Sequence, residues 1–195
     1  ADTDYIQKKI HTERQPYELA MLKDMAGRMP AGGLFVDIGA NIGNHALFFA
    51  GVMGLIVHAF EPVARNLALL EQAVALNALE GRVQILPLAL SDQVGEVTLD
   101  TPDPGNPGMF RVSDRGEVAQ TNTLDGYLQA TGIGPGDLAL IKIDVEGHEV
   151  QVIQGAMATL AKTMAVVTAE TATMAEFDAV AALLATRGYA PTGVY

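Results

Sequence analysis

The chain has 195 residues, near the usual size of a single domain, so one domain over residues 1–195 is expected. Hydrophobic residues make up 49% and charged residues 18%, which excludes a disordered chain. The formal net charge of −11 argues against a surface that holds nucleic-acid phosphates, and the lack of cysteine excludes disulfides, thiolate metal sites and cysteine nucleophiles.

No signal-peptide pattern opens the chain, and it reads as cytoplasmic, with Ala1 in place of Met leaving room for an upstream segment. Residues 1–30 form a helical lead-in, with a helix expected over Pro16 to Met29. Strand-length apolar runs then alternate with helical patterns, the signature of βαβ units around a parallel sheet. Leu34-Phe-Val-Asp-Ile38 is the first strand, Leu55 to Phe60 the second and Val83 to Ala89 the third. Leu138 to Ile143 and Met164 to Ala169 are the fourth and fifth. Near-continuous apolar strands suit burial on both faces. Helices are expected over Ala64 to Ala78, His148 to Leu160 and Ala175 to Thr186, the first and last followed by Gly81 and Gly188 as stops.

The fold class is therefore α/β, a mostly parallel doubly wound sheet with a β-rich insertion over residues 92–123, between the third and fourth core strands. Glu96 to Leu99 and Glu117 to Thr121 are its β-like pieces, around the Pro/Gly-rich Thr101 to Gly108. Ile38 to Phe60 carries no formal charge and is long enough to span a bilayer, but its four glycines, two asparagines and two histidines favour a buried helix and strand. No membrane partner is expected.

Three segments carry chemistry. In Val36-Asp-Ile-Gly-Ala-Asn-Ile-Gly-Asn44 a strand runs through a glycine turn into a helix. Gly39 and Gly43 are expected to let the backbone pass close under a ligand, and the helix N-terminus offers free N–H groups to a carboxylate. Asp37 suits an ammonium. Glu61, about twenty residues past the turn, can accept hydrogen bonds from ribose hydroxyls, and Pro62 starts the next helix. Asn41 stands where a dinucleotide site needs its second glycine, so S-adenosylmethionine is preferred to NAD. In Leu140-Ile-Lys-Ile-Asp-Val-Glu-Gly-His-Glu149, Asp144 ends the fourth strand where the strand order reverses, the edge at which ligands collect. Glu149 also suits an ordinary helix start.

These segments, with Ala89-Leu-Ser-Asp92 and Thr123-Leu-Asp125, resemble the FkbM family of methyltransferases over roughly Tyr17 to Gly155. The resemblance implies a Rossmann-like methyltransferase fold, S-adenosylmethionine as cofactor and O-methylation of a polyketide, sugar or glycan hydroxyl. It implies that Leu88, Ala89 and Leu90 pass beside the adenine. The cofactor set is then Asp37, Gly39, Ala40, Asn41, Gly43, Asn44, Glu61, Pro62, Ala89, Leu90, Ser91 and Asp144. Gly188 to Tyr195 is one further candidate strand, but the reversed last strand of a methyltransferase sheet is not visible.

Methyl transfer needs oxygen, methyl and sulfur in line, water excluded and a base near the hydroxyl. Asp144 is the first candidate base, followed by Glu146 and His148. His45 is a fourth, although a histidine beside Ala46-Leu-Phe-Phe49 suits a core position better. A divalent metal would need Asp144 with further ligands such as Glu170 or Asp178. No Asp-Asn pair follows the fifth strand, so no metal is expected. The rival readings are a nucleotide-dependent oxidoreductase and an inactive module that binds the methyl donor.

Overall fold

The computed structural model describes residues 5–100 and 110–193. Two helices, α1 (Tyr5–Glu13) and α2 (Leu19–Arg28), precede strand β1 (Leu34–Ile38). The core continues through α3 (Asn44–Gly51), β2 (Ile56–Phe60), α4 (Ala64–Leu76) and β3 (Val83–Leu86). It resumes with β8 (Leu138–Ile143), α6 (Glu149–Gln154), α7 (Met157–Leu160), β9 (Val166–Ala169) and α8 (Met174–Ala185). All five core strands pair in parallel, in the order β3-β2-β1-β8-β9. The order reverses between β1 and β8, which leaves a crevice at their carboxyl ends.

Helices cover both faces of this sheet. Leu34, Val36 and Ile38 of β1 join one apolar cluster with Val152, Ile153 and Val180 of α6 and α8. Phe35, on the opposite pleat, packs with Leu22, Met25, Phe49 and Leu70 of α2, α3 and α4. Asp37 and Lys142 share the pleat of Phe35 and Leu140, so both charges enter the sheet on the α2–α3 side.

The insertion forms a second sheet from β4 (Ala89–Leu90), β5 (Gly95–Asp100), β6 (Arg111–Val112) and β7 (Glu117–Asn122), in the order β4-β7-β5-β6. β7 leads into α5 (Leu124–Thr131) and a 3-10 turn at Pro135–Asp137. Thr123 caps α5 by accepting from Gly126 N–H at 2.9 Å. Asp125 accepts from Ala158 and Thr159 N–H at 2.9 and 2.8 Å, so its carboxylate steadies the α7 region. Thr123-Leu-Asp125 is thus a structural motif.

Several expectations are corrected. The run Val83 to Ala89 is not one strand. Leu88 N–H turns back to Leu86 C=O at 2.8 Å around Pro87, and Ala89–Leu90 pairs with β7 in the other sheet. The helix expected over His148 to Leu160 breaks at Gly155, where a Cβ would collide with the Ser91 carbonyl. α1 falls within the expected helical lead-in, while α5 was not legible. No strand occurs over residues 188–193. The Pro/Gly-rich loop Thr101 to Gly108 lies outside the described residues. Among those described, no helix is long and apolar enough to cross a membrane.

Candidate functional site

The turn after β1 is tied to β2. Gly39 and Ala40 N–H both donate to Phe60 C=O at 3.0 Å, and Asn41 N–H donates to Glu61 Oε2 at 2.9 Å. Gly39 has φ 77°, and a Cβ there would strike the Asp144 carbonyl. At Gly43, φ 93°, a Cβ would strike Leu70 of α4. These contacts give both glycines a structural reason beside the expected clearance under a ligand. Gly39 lets two turns of the sheet edge meet, and Gly43 lets α3 pack on α4.

Glu61 is buried and its carboxylate is already engaged. Oε2 takes Asn41 N–H, while Oε1 takes Val63 N–H at 2.9 Å and the Asn66 amide at 3.3 Å. Both the helix-start and the ligand readings thus have support, because a carboxylate offers about four acceptor positions and three are used here. Burial pushes the Glu61 carboxyl up from its ordinary range, and the Val63 and Asn41 N–H groups oppose this. Asn44 exchanges two hydrogen bonds of 2.9 Å with the backbone of Tyr17, which fixes the neighbouring Glu18 over α3. Glu18 has φ 57°, Asn41 φ 50° and Glu146 φ 54°, a left-handed conformation rare for such residues.

Lys142 is a site residue that the sequence pattern did not single out. Its Nζ lies 3.3 Å from Asp37, 3.2 Å from Asp144 and 3.1 Å from Gly39 C=O. Burial alone would lower the Lys142 pKa, but Asp144 and Asp37 outweigh it and hold the ammonium charged. The clue was a lysine inside the apolar run Leu138 to Ile143, since a buried charge requires a partner.

Glu149 organises the turn after β8. Its buried Oε1 accepts from Val145 and Gly147 N–H at 3.3 and 3.0 Å, a structural role. His148 Nε2 meets Ser91 Oγ at 2.9 Å, and Ser91 donates to Asp92 at 3.0 Å. A hydroxyl has one proton to give, so in this arrangement Nε2 is the donor and His148 cannot take a proton there. Burial also lowers the His148 pKa, with Asp92 opposing.

Two adjoining cavities open at the sheet edge. Pro62, Ala89, Leu90 and His148 line the first together with Glu61. Val97, Leu99, Phe110 and Val112 of the insertion close it, and Arg111 reaches Glu146 at 3.9 Å. These insertion residues were missed, because nothing in their pattern shows which way the second sheet faces. Ala40, Asn44, His45 and Lys142 line the second cavity, with Glu18 and Glu170. Gly39, Asn41, Asp144 and Glu146 line both. Asp37, Gly43 and Ser91 line neither and support the walls from behind. Asn41 Oδ1 and His45 Nε2 are buried and have no hydrogen-bond partner among the described residues. No group of three or more His, Asp or Glu able to hold a metal occurs among the described residues.

This fold is shared with solved structures. Precorrin-6y C5,15-methyltransferase from Geobacter metallireducens GS-15 is similar with TM-score 0.56 and 12% identity, over 88% of this chain and 70% of that one. Precorrin 8w decarboxylase from Methanobacterium thermoautotrophicum is similar with TM-score 0.53 and 13% identity, over 90% and 74%. Two Pyrococcus horikoshii chains match at 25% identity, one of them TYW2 in complex with MeSAdo, but the chain spans only 27% and 28% of their lengths, with TM-scores of 0.33 and 0.34. Among curated proteins none matches.

Fold and sheet edge thus define a Rossmann-like α/β domain. Residues 37–191 match the methyltransferase FkbM domain, and the chain belongs to that family.

Proposed function

We propose that the chain is an S-adenosylmethionine-dependent O-methyltransferase acting on a hydroxyl of a small-molecule, sugar or polyketide-like acceptor. One observation carries the reading. A cavity with apolar walls and the buried Glu61 carboxylate continues into a second cavity lined by Glu18, Asp144, Glu146 and Glu170. The first suits a nucleoside, with Glu61 holding the ribose and the backbone near Ala89 and Leu90 beside the adenine. The second suits an ammonium and a sulfonium, while its carboxylates would repel the diphosphate of NAD. The unpartnered His45 Nε2 and Asn41 Oδ1 offer further polar contacts.

The bound donor supplies the methyl group, and the chain's residues bind, align and exclude water. Asp144 lies at the junction of the cavities with one oxygen fixed by Lys142, which leaves the other to orient an acceptor hydroxyl or take its proton. Glu146 is the second candidate. His148 is turned toward Ser91 and lines the nucleoside cavity, which argues against it as the base.

Asp144→Asn tests the assignment. The variant should fold and bind S-adenosylhomocysteine, while S-adenosylhomocysteine release with hydroxyl acceptors slows at least about tenfold. Near-normal turnover removes Asp144 from the chemistry.

A further inference from the structure

The carboxylates of the second cavity arrive from separate elements. Glu18 precedes α2, Asp144 and Glu146 follow β8, and Glu170 follows β9. Lys142 is the one cation that lines this cavity among the described residues, and Asp37 and Asp144 share it. The other titratable groups facing it are Tyr5, Tyr17 and His45, from α1, the turn before α2 and α3. A group of acids alone would be a solvated face. Here His45 lines the same cavity, is only 7% exposed and, among the described residues, leaves Nε2 without a hydrogen-bond partner, a buried unmet polar group in the wall beside the acids.

The position of the acids gives them a specific task, provided the methyl-donor reading holds. A donor with its nucleoside in the first cavity and its amino-acid tail in the second crosses at Gly39, Asn41, Asp144 and Glu146. Its sulfonium would lie at that crossing. On transfer the carbon–sulfur bond breaks, its electron pair stays on sulfur, and a new carbon–oxygen bond forms as the acceptor proton leaves to a carboxylate or water. Sulfur thereby changes from a cation to a neutral thioether, while the amino and carboxylate groups of the tail stay unchanged.

We propose that Glu170, together with Glu18 and Glu146, is the counter-charge to this sulfonium, so that the site distinguishes the cationic donor from its neutral product by charge. Glu170 is the member best suited to carry the difference. Among the described residues its carboxylate has no hydrogen bond or ion pair, whereas Asp144 is bound to Lys142 and Glu146 faces Arg111. The repulsion of Asp144, then partial burial and Glu18, raise the Glu170 pKa to about 7, against the opposing effect of Lys142. Tyr17 is held protonated by burial, its pKa pushed up to about 12, and burial keeps His45 neutral, so neither changes charge near pH 7. An arriving cation relieves the repulsion, and ionised Glu170 binds it better. Donor affinity should therefore rise with pH through about 7, and product affinity should not.

Calorimetric titration of the full chain with S-adenosylmethionine and S-adenosylhomocysteine, at pH 6 and pH 8 and without acceptor, tests the proposal. The donor-to-product affinity ratio should be about threefold or more higher at pH 8, a modest effect because Glu170 is partly solvated. Glu170→Gln should flatten the pH dependence with little change in product affinity. Glu18→Gln, which acts from a different element, should lower the ratio at pH 8. A ratio that ignores pH, or is the same in both variants as in the wild type, overturns the proposal while leaving the cofactor reading intact. Failure of both ligands to bind the wild type removes the cofactor reading, and this proposal with it.

Discussion

Asp37 and Lys142 are register partners in the parallel pairing of β1 with β8, and their side chains meet at 3.3 Å inside the sheet. The ammonium also reaches Asp144 and the Gly39 carbonyl, so one lysine joins the glycine turn of β1 to the end of β8. Replacing Lys142 with Met should cost about 3–5 kcal/mol in urea unfolding, because it strands a buried carboxylate. Adding Asp37→Asn should recover much of the loss. Equal stability of wild type and Lys142→Met would mean that the pair does not brace the site.

Glu61 joins the turn, the start of α4 and the first cavity through one carboxylate. Glu61→Ala should weaken S-adenosylhomocysteine binding by about 1–3 kcal/mol and also lower the melting temperature, because Asn41 and Val63 N–H lose their acceptor. Loss of stability with unchanged affinity would leave Glu61 a purely structural residue.

Phe110 closes the first cavity from the insertion, so its truncation should act on the cofactor. Phe110→Ala should weaken S-adenosylhomocysteine binding about tenfold through lost apolar contact. If the insertion served the acceptor alone, Phe110→Ala would leave cofactor affinity unchanged and lose turnover. Calorimetry on the one variant separates the two.

The raised Glu170 pKa has a consequence for stability. A carboxyl with a higher pKa folded than unfolded binds more protons in the native state between the ordinary value of 4.5 and about 7. Its contribution is then lost as pH rises through that window. Glu170→Gln should leave the melting temperature nearly unchanged near pH 4.5 and raise it by about a degree or two at pH 8, small because the group is partly solvated. A lower melting temperature at pH 8 would show that the glutamate is not under repulsion.

The core sheet was legible because its five strands are apolar runs of the right length separated by helical patterns, and the strands formed within a few residues of the expected positions. Pro87 hid a change of sheet, since a continuous apolar run does not reveal that its two ends pair with different partners. α5 went unread because Thr123-Leu-Asp125 resembled a family motif, and its capping hydrogen bonds are local chemistry that mimics a functional pattern. Asp37, Glu61 and Asp144 stood out as acids at strand ends. Lys142 did not, because its meaning depends on the register between β1 and β8. Glu18 lines the cavity next to Tyr17, which Asn44 holds by two hydrogen bonds, a contact between distant segments with no periodic trace.

The most direct test of the central claim is titration of the purified chain with S-adenosylhomocysteine and, separately, with NAD under the same conditions. Binding of S-adenosylhomocysteine with no detectable binding of NAD is the expected result. Binding of NAD without S-adenosylhomocysteine would contradict the assignment of the two cavities to a methyl donor.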